Sequence, residues 1–573
     1  MNLPIIRKNR DKDTDMSETA HIKVEVEERG TVPITRGTSL LELRNIAGIT
    51  EQELIPVVGA LYNGRVMGLE YCIGRKCRVR FITTGTDEGA DIYRRSLSML
   101  LHAAFLDVMG ETATLKIEHS LSRGFYYTYK NSEELTDNAV RRIERRMQEM
   151  TEKCITFTKK EHEIEHALDI FENIHAHERL YLLKYMTRAK ITLYTLGRCV
   201  NLAQGPLVPH TGYLKLFRLI SYSPGLILVF PTVDKPGELP PFLEQKKLFQ
   251  IYSEQREWSR LLDVDSAGKL NRTIIKGKID NLIWLSEGLH EKKIANIADS
   301  ITKRASSSRV IFLAGPSSSG KTTFAKRLMI QLLANGIGTE IISLDNYYLP
   351  RNRMPKNKKG ETNFDNLHAL DLDLIKKHIQ SLLDGRSIEI PKYDFKTGMR
   401  EDETTPLRLN KNQVVIIEGI HCMNRALTGM ICESDSYKIY ISALTQLNLD
   451  VINRIPTSTV RLIRRIVRDS EFRAYSASQT ISKWHLVRQG EEQNIFPHQE
   501  EADVMFNSSL VYEMSVLKGY IEPVLLDIEE SDPSYTKARL LLHFTSNFLS
   551  ILPEHVPLTS ILREFIGGSG FKY

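Results

Sequence analysis

One stretch, RVIFLAGPSSSGKTTFAKRLMIQLLANG at 309–336, constrains the fold more than any other. It passes from an unbroken apolar segment into a glycine-rich loop and then into a helical pattern. An apolar run without alternation suits a strand buried on both faces, as in a parallel sheet covered by helices. The loop fits G-x-x-x-x-G-K-[ST] over 315–322. Its glycines let backbone N–H groups close around phosphates at a helix N-terminus, where the helix dipole adds positive charge. Gly315, Pro316, Ser317, Ser318, Ser319, Gly320, Lys321, Thr322 and Thr323 are therefore expected to hold a nucleotide. The Lys321 ammonium would reach the β/γ-phosphates and the Thr322 hydroxyl would hold Mg²⁺. The alternative, a Gly/Ser turn with an exposed lysine, does not explain the strand before it and the helix after it.

Two further runs, TEIISLD (339–345) and QVVIIEG (413–419), have the same continuous apolar texture with helical segments between them. Together the three predict a doubly wound parallel sheet, whose site lies at the carboxyl ends of its strands. Asp345 ends one run, where a carboxylate can take the proton of an attacking hydroxyl; a turn or N-cap aspartate is the competing reading. Glu418 ends another, where an acid can order Mg²⁺. His421 is expected as a packed or surface histidine rather than a ligand. RLIRRIVRD (461–469) puts Arg461, Arg464, Arg465 and Arg468 on one helix face. With a phosphate loop in the chain, that stripe reads as a lid over triphosphate, and Arg468 as a catalytic cation. IPKYDFKTGMR (390–400) is a candidate acceptor pocket around Tyr393, whereas PRNRMPKNKKG (350–360) is explained by a solvated basic loop.

At 573 residues the chain is too long for one core. The first half reads as α+β. Alternating residues from His21, a helix from Ser39, an Asn63-Gly64 hairpin and a strand at 77–82 suggest a small β-grasp module. Helices at 91–108 and 136–152 flank strand-like ATLKIEHSLSRGFYYTY, and GLILVFP closes the block before PGELP at 236–240. The expected organisation is a tail at 1–19, a β-grasp domain at 20–82, an α+β domain at 83–240, a helical connector at 241–305, and a phosphate-loop α/β domain at 306–573 with a C-terminal helical extension. Met16 stands as an alternative start. A net charge of +6, from 77 basic and 71 acidic residues, is weak reason to expect a polyanionic partner. Six cysteines without C-x-x-C spacing point to free thiols in a reducing compartment. No apolar run reaches the ~18 residues of a membrane span, and the N-terminus has no secretory pattern. A cytoplasmic protein without a membrane partner is expected.

Taken in order, GPSSSGKTT, SLDNYY, NFDNLHALD, IPKYDF, VVIIEGI, RLIRRIVRD and ADVMFN resemble the motifs of the uridine kinase/phosphoribulokinase family over about 309–510. The resemblance implies an ATP- and Mg²⁺-dependent kinase. Asp345 would be the catalytic base, Asp365 and Tyr393 would line a nucleoside pocket, Glu418 would be the Mg²⁺-associated acid, and Arg468 and Arg473 would be lid arginines. Uridine-cytidine kinases usually carry a base-contacting histidine after the YDF turn; here Gly398 stands in its place. Residues 20–82 resemble a TGS module, and 83–231 resemble the editing domain of threonyl-tRNA synthetase. Where that family has its two histidines, cysteine and histidine, this chain has Arg95, Met99, Ala203 and Leu207, which implies a binding or regulatory module without hydrolysis.

The expected activity is phosphorylation of a nucleoside hydroxyl by ATP. Two other readings stay open: a kinase of a non-nucleoside such as a sugar phosphate, and an RNA-linked regulatory ATPase. The residues leave room for a homo-oligomer and for nucleic acid, without favouring the latter.

Overall fold

The computed structural model describes residues 21–50, 52–129, 135–186, 188–304, 309–356, 366–395, 397–429, 431–445 and 447–572. The expected tail at 1–19 and the expected pocket residue Asp365 lie outside them.

The first sheet holds the strands His21–Val26, Gly30–Thr35, Val57–Tyr62, Arg65–Met67 and Cys77–Thr83 in the order second, first, fifth, third, fourth. Only the first and last strands pair in parallel. Asn63 and Gly64 both take positive φ, 45° and 73°, as a tight two-residue hairpin demands. The helix Leu40–Ile46 begins in a capping box between Ser39 and Glu42, and buries Leu40 and Leu43 on the sheet.

The next block packs the long helices Asp87–Met109 and Asp137–Glu152 on an antiparallel sheet of Arg218–Tyr222, Gly225–Val229, Gly124–Tyr129 and Leu115–Leu121. Met99 and Leu207 are core residues there, and the half-buried Arg95 donates from its guanidinium to the Pro206 carbonyl at 3.3 Å. None of these groups is placed for proton or metal chemistry.

The helices Lys246–Leu262, Ala267–Ile275 and Ile279–Thr302 do more than connect. Ile283, Ile294, Ile297 and Ile301 share a core with Ile311 and Phe324, and the buried Arg327 is clasped by Glu287 and Glu291. Beyond them lies a five-stranded, fully parallel sheet in the order Gly338–Ser343, Gln413–Glu418, Val310–Ala314, Ser436–Ser442, Val504–Asn507. The strand that enters the glycine-rich loop is central, so its carboxyl end opens between two neighbours. Among the described residues no helix is long and apolar enough to cross a membrane.

Candidate active site

The glycine-rich loop leaves Val310–Ala314 and turns into the helix Lys321–Ala334 through Gly320 at φ +86°. Gly315 is sterically obligatory, because a Cβ there would lie 2.1 Å from the Ile441 carbonyl oxygen. Lys321 Nζ curls back to the Gly315 and Pro316 carbonyls at 3.1 and 3.3 Å. Ser318 and Ser319 are buried, and both hydroxyls lack a hydrogen-bond partner among the described residues. Buried donors without partners are costly, so these two are suited to accept an incoming polar ligand.

Asp345 and Glu418 meet at the ends of adjacent strands. Ser343 is paired with Glu418 in the sheet and donates its hydroxyl to Glu418 Oε1 at 2.8 Å. The 3₁₀ turn Leu344–Tyr347 then holds Asp345 half-buried beside it. Burial, followed by the Asp345 charge, pushes the Glu418 carboxyl up to about 7, while Lys321 and the Ser343 hydroxyl pull the other way. His421 is buried, neither ring nitrogen has a partner among the described residues, and burial followed by the Lys321 charge brings it down to about 4. It packs as a neutral histidine.

On the far side of Asp345, Tyr393–Asp394 pairs with Met399–Arg400 in a short hairpin. Tyr348, Tyr393 and Phe395 form an aromatic group with centroid distances of 5.1 to 5.9 Å. The Tyr393 ring is buried and its hydroxyl lacks a partner among the described residues. Arg473 lies over Phe395 at 5.5 Å, and the Asp345 charge acts on it. Arg400 clamps this wall to the Leu344–Tyr347 turn, donating to the Tyr347 and Tyr348 carbonyls at 2.9 and 3.1 Å and pairing with Asp371.

The arginine helix, Thr457–Phe472, corrects one expectation. Arg461 and Arg464 do not belong to a lid: both are fully buried, Arg461 paired with Glu491 and Arg464 with Glu513. Their remaining donors hold the Ser317 and Ser318 carbonyls of the glycine-rich loop. The physical reason is partner supply, since the two carboxylates come from neighbouring helices and neutralise the inner half of the stripe. The outer half keeps its charge. Arg465, Arg468 and Arg473 share the single carboxylate of Asp469, and Arg465 also donates to Ser317 Oγ at 2.8 Å. The Arg468 charge, and then burial, brings the Arg473 guanidinium down to about 10. That mutual repulsion is what a bound polyanion relieves.

The phosphoribulokinase / uridine kinase family profile matches residues 310–515. Those residues are a kinase domain of that family. Its relatives include a uridine kinase of Staphylococcus haemolyticus (strain JCSC1435), 29% identical over 198 residues, which cover 34% of this chain and 86% of the relative. Among solved structures, a possible uridine kinase from Bacillus stearothermophilus is similar at 18% identity and a TM-score of 0.24, covering 35% of this chain and 89% of that one. The D-glycerate 3-kinase of Cryptococcus neoformans is similar at 17% identity and a TM-score of 0.22, covering 48% and 87%.

Family membership implies ATP, and with it Mg²⁺. The kinase domain fits both groups: Ser318 and Ser319 present hydroxyls without partners among the described residues, Lys321 supplies a cation at the loop, and Asp345 and Glu418 bring two acids together. Among the described residues no cluster of three His, Cys, Asp or Glu could hold a metal unaided. Mg²⁺ takes one or two carboxylates and completes its shell with water and substrate phosphates. Thr322, half-buried on the first helical turn, and Glu418 are the residues that would hold it. Sequence reasoning missed Glu491 and Glu513 because no motif marks them; only the buried arginines they serve could have pointed to the two acids.

The raised Glu418 carboxyl has a consequence for pH. Between its ordinary 4.5 and about 7 the folded chain keeps a proton that the unfolded chain has released, so stability falls as pH rises through that window. Glu418→Gln is expected to flatten this fall, read as Tm between about pH 5 and about pH 8. A decline equally steep in the variant would exclude Glu418 as its source.

Proposed function

We propose that the kinase domain transfers the γ-phosphoryl group of ATP to a hydroxyl of a nucleoside, with Asp345 as general base. The observation that carries this reading is the position of Asp345. Its charge acts both on Glu418, beside Lys321, and on Arg473, which lies over Phe395 of the aromatic group. ATP supplies the transferred group. This chain's own residues orient it, with Lys321 and the 315–323 loop on the phosphates and Arg465, Arg468 and Arg473 facing the developing charge. Glu418 and Thr322 would hold Mg²⁺, and Tyr393 with Asp365 would seat the acceptor.

A nucleoside is supported by the uridine kinase relatives and by the aromatic wall, which offers faces for a base and ribose. Gly398 cannot carry a base-reading histidine here. Its φ of +73° suits glycine, and a Cβ would meet Arg351 Nε at 2.8 Å. Arg351, which also donates to the Phe395 carbonyl at 3.4 Å, brings a guanidinium to the edge where an imidazole would stand. A guanidinium only donates, so it favours bases that present carbonyl or ring-nitrogen acceptors.

For the first half the reading is a TGS-like β-grasp module at 20–82 and an editing-like module at 83–240, joined by 241–305 to the kinase at 306–573. The apolar Met99 and Leu207 support binding or regulation without hydrolysis. The cysteines are all free thiols, in keeping with a cytoplasmic protein.

Purified protein assayed with ATP and Mg²⁺ against nucleosides, sugar phosphates and glycerate is expected to phosphorylate at least one nucleoside. Turnover confined to a sugar phosphate or glycerate would replace the acceptor class. Phosphate released to water only when RNA is present would replace the kinase reading with the regulatory ATPase.

A further inference from the structure

The phosphate loop already carries a carboxylate from the far end of the chain. Thr323, on the first turn of Lys321–Ala334, donates its backbone N–H to Glu564 Oε2 at 3.1 Å and its hydroxyl to the same oxygen at 2.9 Å. Glu564 belongs to the short helix Arg563–Ile566, which lies beyond the residues the family profile matches. The segment before it presses on the loop itself. Ile561 is fully buried, and its Cγ2 would lie 2.3 Å from a Cβ added at Gly320.

Several contacts hold this segment in place. Arg563 donates to the Pro553 and Val556 carbonyls at 2.8 and 2.7 Å, folding 553–567 into a compact knob. Phe565, also fully buried, lies under the Arg464 guanidinium at 5.0 Å. Just upstream the chain end is tied to the first half. Thr536 donates to the Gly64 carbonyl at 2.6 Å, Arg188 to Ser546 Oγ at 2.9 Å, and Asn271 to the Asn547 carbonyl at 2.9 Å.

We propose that the C-terminal segment is an intramolecular occupant of the nucleotide site, in which the Glu564 carboxylate stands in for a nucleotide phosphate and ATP binds by displacing it. This rests on the reading of 315–323 as the ATP phosphate site. The Thr323 amide has one hydrogen to donate and its hydroxyl has one, and Glu564 holds both. A phosphate oxygen at the N-terminus of this helix would need the same two donors, and its negative charge would repel the carboxylate at that range. The two states therefore exclude each other. A ligand that competes with an internal occupant binds with an affinity reduced by the fraction of protein in the open state. The segment thus sets the ATP concentration at which the kinase works. An N-cap serving only the helix would cost stability when removed but would leave ATP affinity where it was.

The test compares full-length wild type, Glu564→Ala and Glu564→Gln by calorimetric binding of the non-hydrolysed ATP analogue AMP-PNP with Mg²⁺, with Lys321→Ala as the non-binding control. Glu564→Ala is expected to tighten Kd by at least about tenfold, the factor removed when a competing state populated at about 90% is lost. Glu564→Gln, which keeps the size and an accepting oxygen but not the charge, should fall between the two. It carries the comparison if the alanine variant does not fold. In wild type, adding the nucleotide is expected to speed hydrogen exchange at the amides of 561–566. Equal or weaker binding by the variants, or unchanged exchange over 561–566, overturns the proposal and leaves the nucleotide site standing. No binding by any of the proteins overturns the nucleotide-site reading and the proposal with it.

Discussion

Asp345→Asn is expected to lower kcat by a factor on the order of 10²–10⁴, the usual contribution of a positioned general base, while leaving ATP affinity nearly unchanged. The substitution keeps size and hydrogen-bonding geometry and removes the ability to take a proton from the acceptor hydroxyl. Asp345 also raises the neighbouring Glu418 carboxyl through its charge. The variant should therefore ionise Glu418 at lower pH, and Mg²⁺ binding should hold or improve. A split of this kind, with slow chemistry and intact nucleotide binding, separates a base from a residue that merely supports the fold. Turnover within twofold of wild type, measured with the acceptor found in the substrate panel, would remove Asp345 from the mechanism.

The second large effect concerns stability. Arg464→Ala is expected to destabilise the protein by about 3–5 kcal/mol, the cost of leaving one member of a buried ion pair without its partner. Glu513 would remain buried with only Ser509 and a backbone amide to answer its charge, and the Ser318 and Ser508 carbonyls would each lose a donor. In thermal unfolding this corresponds to a loss on the order of 10 °C. Replacing both partners, as in Arg464→Met with Glu513→Leu, should recover much of the loss, because the pair's desolvation cost disappears with it. If Arg464 instead reached the nucleotide, Arg464→Ala would unfold at the wild-type temperature and show its defect in kcat alone.

Arg464 also marks how far the sequence could be read. The stripe in RLIRRIVRD was legible because a helix repeats every 3.6 residues, and four arginines at that spacing share a face whatever lies opposite. What lies opposite was not legible. Glu491 and Glu513 stand 30 and 49 residues away in sequence and carry no motif of their own. Their arrival divides one stripe into two buried structural cations and two that stay with the site. Tyr393 was legible in the same partial way. Its short motif located a member of the aromatic group, but the guanidinium that fills the space above Gly398 comes from Arg351, in a loop whose composition suggested only solvation.

By itself the sequence determined the glycine-rich loop, three of the parallel strands and the two strand-end acids, Asp345 and Glu418. These depend on neighbours within a few residues, on backbone hydrogen bonds that glycine permits and on apolar runs that must be buried. The tertiary structure alone decided which arginines are buried against carboxylates, what stands beside Gly398, and that Glu564, 241 residues from Thr323, accepts from the first turn of the helix after the glycine-rich loop. Such pairings depend on how separate elements pack, and a charge on a chain does not announce its partner until burial brings the two together.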